Sequence, residues 1–178
     1  MFLVRRGDSG TPRVPFRRYA AVQEYIDKAS IPKGGNIVLL TDDETTIEEV
    51  QKYHKDDYNW IYLDRPRNRG TSGGFDGHIP SGDEGFEMVA MEIELYYGST
   101  CQSIVCGKSA FMDSLVRSME AFGREYSLYY VDTRVSKEEA QKFGAGRDIR
   151  EESMFEAIEA INRQSSVTQK DISDINLQ

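Results

Sequence analysis

Short apolar runs rich in β-branched and aromatic residues alternate along this chain with stretches of helical period, and nothing else in the sequence constrains the fold as strongly. The runs are Phe2 to Val4, Ile37 to Leu40, Trp60 to Leu63, Ser103 to Cys106 and Leu128 to Val131. Between them, Val22, Tyr25, Ile26 and Ala29 form one helical face, Ile47 and Val50 a short one, and Phe111, Met112, Leu115, Val116 and Met119 another. Strands alternating with helices predict an α/β domain, a Rossmann-like parallel sheet flanked by helices. A Ser or Thr followed three residues later by Glu marks helix starts at Thr45/Glu48, Ser81/Glu84, Ser136/Glu139 and Ser153/Glu156. The 178 residues make one domain's worth of chain. We place the domain at 1–163 and expect the polar stretch 164–178 to fray. The first strand run begins with almost no chain before it, so it is either natively terminal or the start of the second half of something longer.

Several function classes fall away on composition. The longest apolar runs are about four residues, far below the roughly 18–20 of a membrane span. The first six residues lack the apolar core of a secretory signal. Cys101 and Cys106 are too few and too close to read as a disulfide framework, and no Cys/His spacing fits a zinc site. A net charge of −8 argues against general nucleic-acid binding.

The charge is unevenly distributed. Met1 to Arg18 holds Arg5, Arg6, Arg13, Arg17 and Arg18 against Asp8 alone, a local +4 that leaves −12 for the rest. Such a run is either a solvated face or a site for an anion. Ligands of open parallel sheets bind outside the carboxyl ends of the strands. Here those ends carry Arg5, Arg6 and Asp8, then Thr41, Asp42 and Asp43, then Asp64 and Arg65, then Gly107, Lys108 and Ser109, and finally Asp132 and Thr133. Guanidinium forks suit phosphate oxygens, and the junction Cys106-Gly107-Lys108-Ser109 presents free N–H groups and a positive dipole end to the same anion. A phosphate-bearing ligand is therefore expected at this edge, with a structural Arg–Asp network as the competing reading.

Other motifs are weaker. Gly107-Lys108-Ser109 does not end a P-loop, because the glycine needed five residues earlier is Gln102. No G-x-G-x-x-G fingerprint stands at any strand-to-helix turn. The segment Phe86 to Tyr97 is apolar around most of its circumference and reads as a largely buried helix, yet Glu87 and Glu94 fall within about 20° of each other on it. Those carboxylates either cap backbone donors or hold a polar ligand. Arg65 to Gly85 reads as a glycine-rich loop of functional length. His54 sits in a charged helix end, where exposure is expected, and His78 lies in the loop; neither has a serine or cysteine placed for a triad.

Val4-Arg5-Arg6-Gly7-Asp8, the later Leu40-Thr41-Asp42-Asp43, the glycine-rich stretch, Glu94, and Ile104-Val105-Cys106-Gly107-Lys108-Ser109 resemble, in order and spacing, the nucleotide-sugar half of the α-1,6-fucosyltransferase family. The resemblance covers roughly Phe2 to Met119. It implies one half of a GT-B glycosyltransferase that binds GDP-fucose as donor substrate, needs no metal or other cofactor, and transfers fucose to a glycan or glycoprotein acceptor. For a full-length parent it implies the Golgi. Arg5 falls on the family's donor-phosphate arginine, the implied catalytic residue, and Arg6 on its neighbour. Asp8 keeps the acid of the same motif. Asp42 and Asp43 match paired acids at a strand end, Glu94 an aspartate that contacts guanine, and Lys108, Ser109 and Ala110 the phosphate-binding turn. The departures are Leu3 and Ser9 for a histidine and a lysine, Ala110 and Phe111 for a serine and a glutamine, and Arg13 where a general-base glutamate is expected. Arg13, Ala110 and Phe111 favour a rival reading, a catalytically inactive nucleotide-sugar-binding or interaction module, whereas Arg5, Asp42, Asp43 and Glu94 favour the enzyme.

Overall fold

A computed structural model describes residues 1–7, 17–69 and 79–134. Its order is β1 (Phe2–Val4), α1 (Val22–Ala29), β2 (Asn36–Thr41), α2 (Glu44–Glu49) running into a π-helical turn (Val50–His54), β3 (Asn59–Ile61), α3 (Glu84–Ser99), β4 (Ser103–Cys106), α4 (Ala110–Ala121) and β5 (Ser127–Tyr130). The five strands form one parallel sheet in the order β3-β2-β1-β4-β5. The chain is an α/β domain, as its alternation predicts.

Side chains leave a strand on alternating faces, and this splits the core in two. Phe2 and Val4 of β1, Ile37 and Leu39 of β2, and Val105 of β4 pack with Val22, Tyr25 and Ile26 of α1 and with Ile47 and Val50. Leu3, Leu40, Ile104 and Cys106 face the other way and pack with Met112, Leu115 and Met119 of α4, with Leu95 of α3 at the margin. Helices α1 and α2 thus cover one face, and α3 and α4 the other. Burying apolar surface on both faces is the main drive to this arrangement, at about 25 cal/mol per Å². α3 and α4 meet closely at Gly98, where a Cβ would come within 2.7 Å of the Met1 sulfur and 3.1 Å of Leu115 Cδ1.

Local chemistry moves some boundaries. The cap of α2 is Asp43, whose carboxylate accepts from the Thr45 N–H at 3.1 Å, not Thr45 itself. The cap of α3 is Asp83, accepting from Phe86 N–H, so Gly85 lies inside the helix rather than ending the loop. Aspartate outcompetes the nearby hydroxyls because its charged oxygen binds the helix N-terminus more strongly. The third strand ends at Ile61, two residues short of the apolar run.

Two expectations fail. His54, the last residue of the π-helical turn, is buried, at 6% exposure, and its carbonyl accepts the Trp60 indole N–H at 2.9 Å. Helix α3 is not largely buried: only Ala90, Glu94, Gly98 and Ser99 are covered, while Met88, Val89 and Tyr96 stand 60–67% exposed. Among the described residues no helix is long and apolar enough to cross a membrane. The start signals at Ser136 and Ser153, the stretch 164–178, and the residues Asp8, Ser9, Arg13 and His78 lie outside the described residues.

Candidate functional site

The chain leaves β1 toward α1 on one face and leaves β4 toward α4 on the other. The two connections diverge, and a crevice opens at the carboxyl ends of these neighbouring strands. A cleft of about 360 Å³ occupies this place, running from the ends of β1 and β2 to the side of α3 and the start of α4.

Parity along β1 separates the two arginines. Arg5 shares the side of Leu3 and lines the cleft, its side chain 33% exposed. Arg6 shares the side of Val4 and is fully buried under α1 and α2. Its guanidinium forms a very short ion pair with Glu49 and donates to the Ala20 carbonyl at 2.8 Å. Burial pushes its pKa down, but the Glu49 and Asp43 carboxylates outweigh this and hold it above the ordinary arginine value. Arg6 is therefore a structural cation, and the expectation that it touches a ligand is corrected: no face of it reaches the cleft.

The paired acids separate likewise. Asp43 is buried and committed to capping α2. Asp42 lines the cleft: one oxygen accepts the Arg6 backbone N–H at 3.0 Å, and the other lies 4.0 Å from Arg5 Nε. The side chain keeps 28% of its surface, yet Oδ2 itself is shut off from solvent and accepts no hydrogen bond. Burial pushes the Asp42 carboxyl above its ordinary value.

Across the cleft, Glu94 and Glu87 share one arginine. Arg65 gives Nε and a terminal nitrogen to the two Glu94 oxygens at 3.0 and 3.2 Å, and its other nitrogen to Glu87 at 3.3 Å. Glu87 also accepts the Ser81 N–H at 3.1 Å. The same-face spacing of the two glutamates was legible; their partner was not, because it arrives from the segment after β3. Arg67 fixes that segment along the edge, with its side chain 2% exposed and donating to the carbonyls of Thr41, Leu63 and Arg65.

Ser109 caps α4, accepting from Met112 N–H at 3.2 Å, and sits beside Phe111 on the cleft wall. The N–H groups of Ala110 and Phe111, at the first two helical positions, lack intrahelical acceptors, as in any α-helix. Lys108 and Ser109 also border a small recess shared with Arg5 and Arg17, and Lys108 Nζ lies 5.7 Å from the Tyr130 ring. A Cβ at Gly107 would meet Thr133 Oγ1 at 3.0 Å, so a larger residue fits only if that side chain yields by a few tenths of an ångström. Of the other arginines near the N-terminus, Arg17 donates to the Lys108 carbonyl, and Arg18 pairs with Glu24 and reaches the Asp132 carbonyl. Cys106 is buried and its thiol is pushed up to about 12, so it supplies no thiolate near neutral pH. Among the described residues no group of three His, Cys, Asp or Glu side chains could hold a metal ion.

The class that the fold defines is a parallel α/β domain, with a cleft at the carboxyl edge of its sheet. No protein-family model, curated protein or solved structure matches this chain.

Proposed function

We propose that this domain binds GDP-fucose and is the donor-binding half of a GT-B glycosyltransferase that transfers fucose to a glycan acceptor. The observation that carries the reading is the position of Arg5, a cleft-lining guanidinium at the carboxyl end of β1, opposite the Ser109-capped N-terminus of α4 after β4. These two elements suit the two ends of one diphosphate: a bidentate fork on one side, and backbone N–H groups with a positive dipole end on the other. The acidic wall of Glu87 and Glu94 suits a ligand with N–H donors beyond its phosphates, and a guanine edge carries such donors. As the glycosidic bond breaks, negative charge grows on the departing GDP, so the Arg5 contact strengthens toward the transition state. Removing such a preorganised donor costs about 3 kcal/mol of barrier.

A second reading, a non-catalytic binding or interaction module of the same fold, is favoured by the engagement of both Glu94 oxygens by Arg65. Calorimetric titration with GDP, and with UDP as control, tests the proposal. Preferential GDP binding that weakens about 10- to 100-fold in Arg5→Ala, the worth of one charge-assisted contact, supports the donor site. No binding of either nucleotide at millimolar concentration sinks it. Equal binding of both leaves the anion site but removes guanine and with it the fucosyl donor.

A further inference from the structure

One face of the sheet is incompletely covered. Trp60 of β3 packs into the α1/α2 cluster, so its neighbour Ile61 points to the opposite, α3/α4 side, where it is 46% exposed. Its register partner Val38 is only half-buried on that side. Beside this gap, α3 turns Ala90, Glu94 and Gly98 toward the protein and carries a second apolar stripe outward: Phe86, Val89, Ile93 and Tyr96, between 37% and 67% exposed. Their spacing of three and four residues is the seam by which one helix packs on another. A helix apolar on both its inner and outer faces belongs in a protein interior. The surface is thus shaped for one further helix alongside α3.

We propose that the occupant is the segment Ser153–Ile161 of this same chain, which lies outside the described residues. Three arguments select it. Ser153 and Glu156 form a helix-start signal, after which Met154, Phe155, Ile158 and Ile161 fall on one side at helical spacing while Glu156 and Glu159 fall on the other. That stripe spans eight residues, about three-quarters of the eleven from Phe86 to Tyr96 that it would cover. Eighteen residues separate Arg134 from Ser153, enough to span up to about 60 Å when extended. The whole five-stranded sheet is only about 19 Å wide. A second copy fits less well, because α3 packed on its own counterpart would bring Glu92, at the border of the stripe, against another Glu92.

Hydrogen exchange on the full chain tests the assignment, comparing the wild type with the double variant Ile158→Asp, Ile161→Asp. The α3 amides of the double variant are expected to exchange about ten-fold faster, with raised binding of an apolar dye and unchanged exchange in β1, which reports that the domain is still folded. Ile93→Asp, changed on the other side of the contact, should reproduce the effect. Unchanged α3 exchange in the double variant overturns the proposal. So does sedimentation of the wild type as a dimer that Ile93→Asp splits, which assigns the face to a second copy.

Discussion

Removing the Glu49 carboxylate strikes the one ion pair among the described residues that is buried at 0% exposure on both sides. Glu49 has two duties: one oxygen takes the Arg6 guanidinium and the other the Val22 N–H at 2.8 Å, at the first residue of α1. In Glu49→Ala a buried guanidinium loses its hydrogen-bonded counter-charge and keeps only the Asp43 carboxylate, which costs about 3–5 kcal/mol. The orphaned N–H adds about 1 kcal/mol. Against the 5–15 kcal/mol of a typical domain this is a third or more of the stability, so Glu49→Ala should unfold at a far lower urea concentration than wild type. Glu49→Gln keeps an acceptor for Val22 and loses only the charge. With a urea m-value of roughly 2 kcal/mol/M, its unfolding midpoint should fall by about 1.5–2.5 M. The double variant Arg6→Met, Glu49→Leu replaces the pair by apolar volume and should recover to within about 1–2 kcal/mol of wild type. A Glu49→Gln midpoint within 0.5 M (roughly 1 kcal/mol) of wild type, at unchanged m, would refute the assignment of Arg6 to the core. So would a hundred-fold loss of GDP affinity in the folded double variant (about 2.7 kcal/mol), which would return Arg6 to the ligand.

Two pH-linked outcomes follow from the other buried polar groups. Burial lowers the His54 pKa despite the Glu49, Asp57 and Asp27 carboxylates, and its Nε2 has no hydrogen-bond partner. The fold therefore favours the neutral ring: this contribution is complete above the unfolded value of about 6.5 and declines as pH falls through it toward the folded value. Urea midpoints at pH 7.5 and 5.5 should differ more in wild type than in His54→Gln; equal differences would count against the burial of this ring. Asp42 has the opposite sign, since its carboxyl is raised and its ionised form is disfavoured in the fold. Asp42→Asn removes the disfavoured charge and should stabilise the domain at neutral pH, read as a higher urea midpoint. That gain should vanish below about pH 4, where the unfolded carboxyl is itself protonated; loss of stability at pH 7 would contradict it.

The strands β1 and β4 begin and end where the apolar runs do, because a strand's signal is local: alternating apolar residues bounded by polar ones. The alternation of helices and strands settled the parallel sheet, and the strand ends located Arg5, Asp42 and Ser109 at the cleft. Parity along β1 even held the separation of Arg5 from Arg6, since residues 3 and 5 share one side and 4 and 6 the other. Tertiary structure alone decided the partners. Glu49 reaches Arg6 across 43 residues of chain, and Arg65 reaches Glu94 across 29, so no local period carries either pairing. Whether α3 would be covered was also undecidable from its own residues: a helix apolar around its circumference needs neighbours on every side, and which sides receive them depends on where the rest of the chain packs.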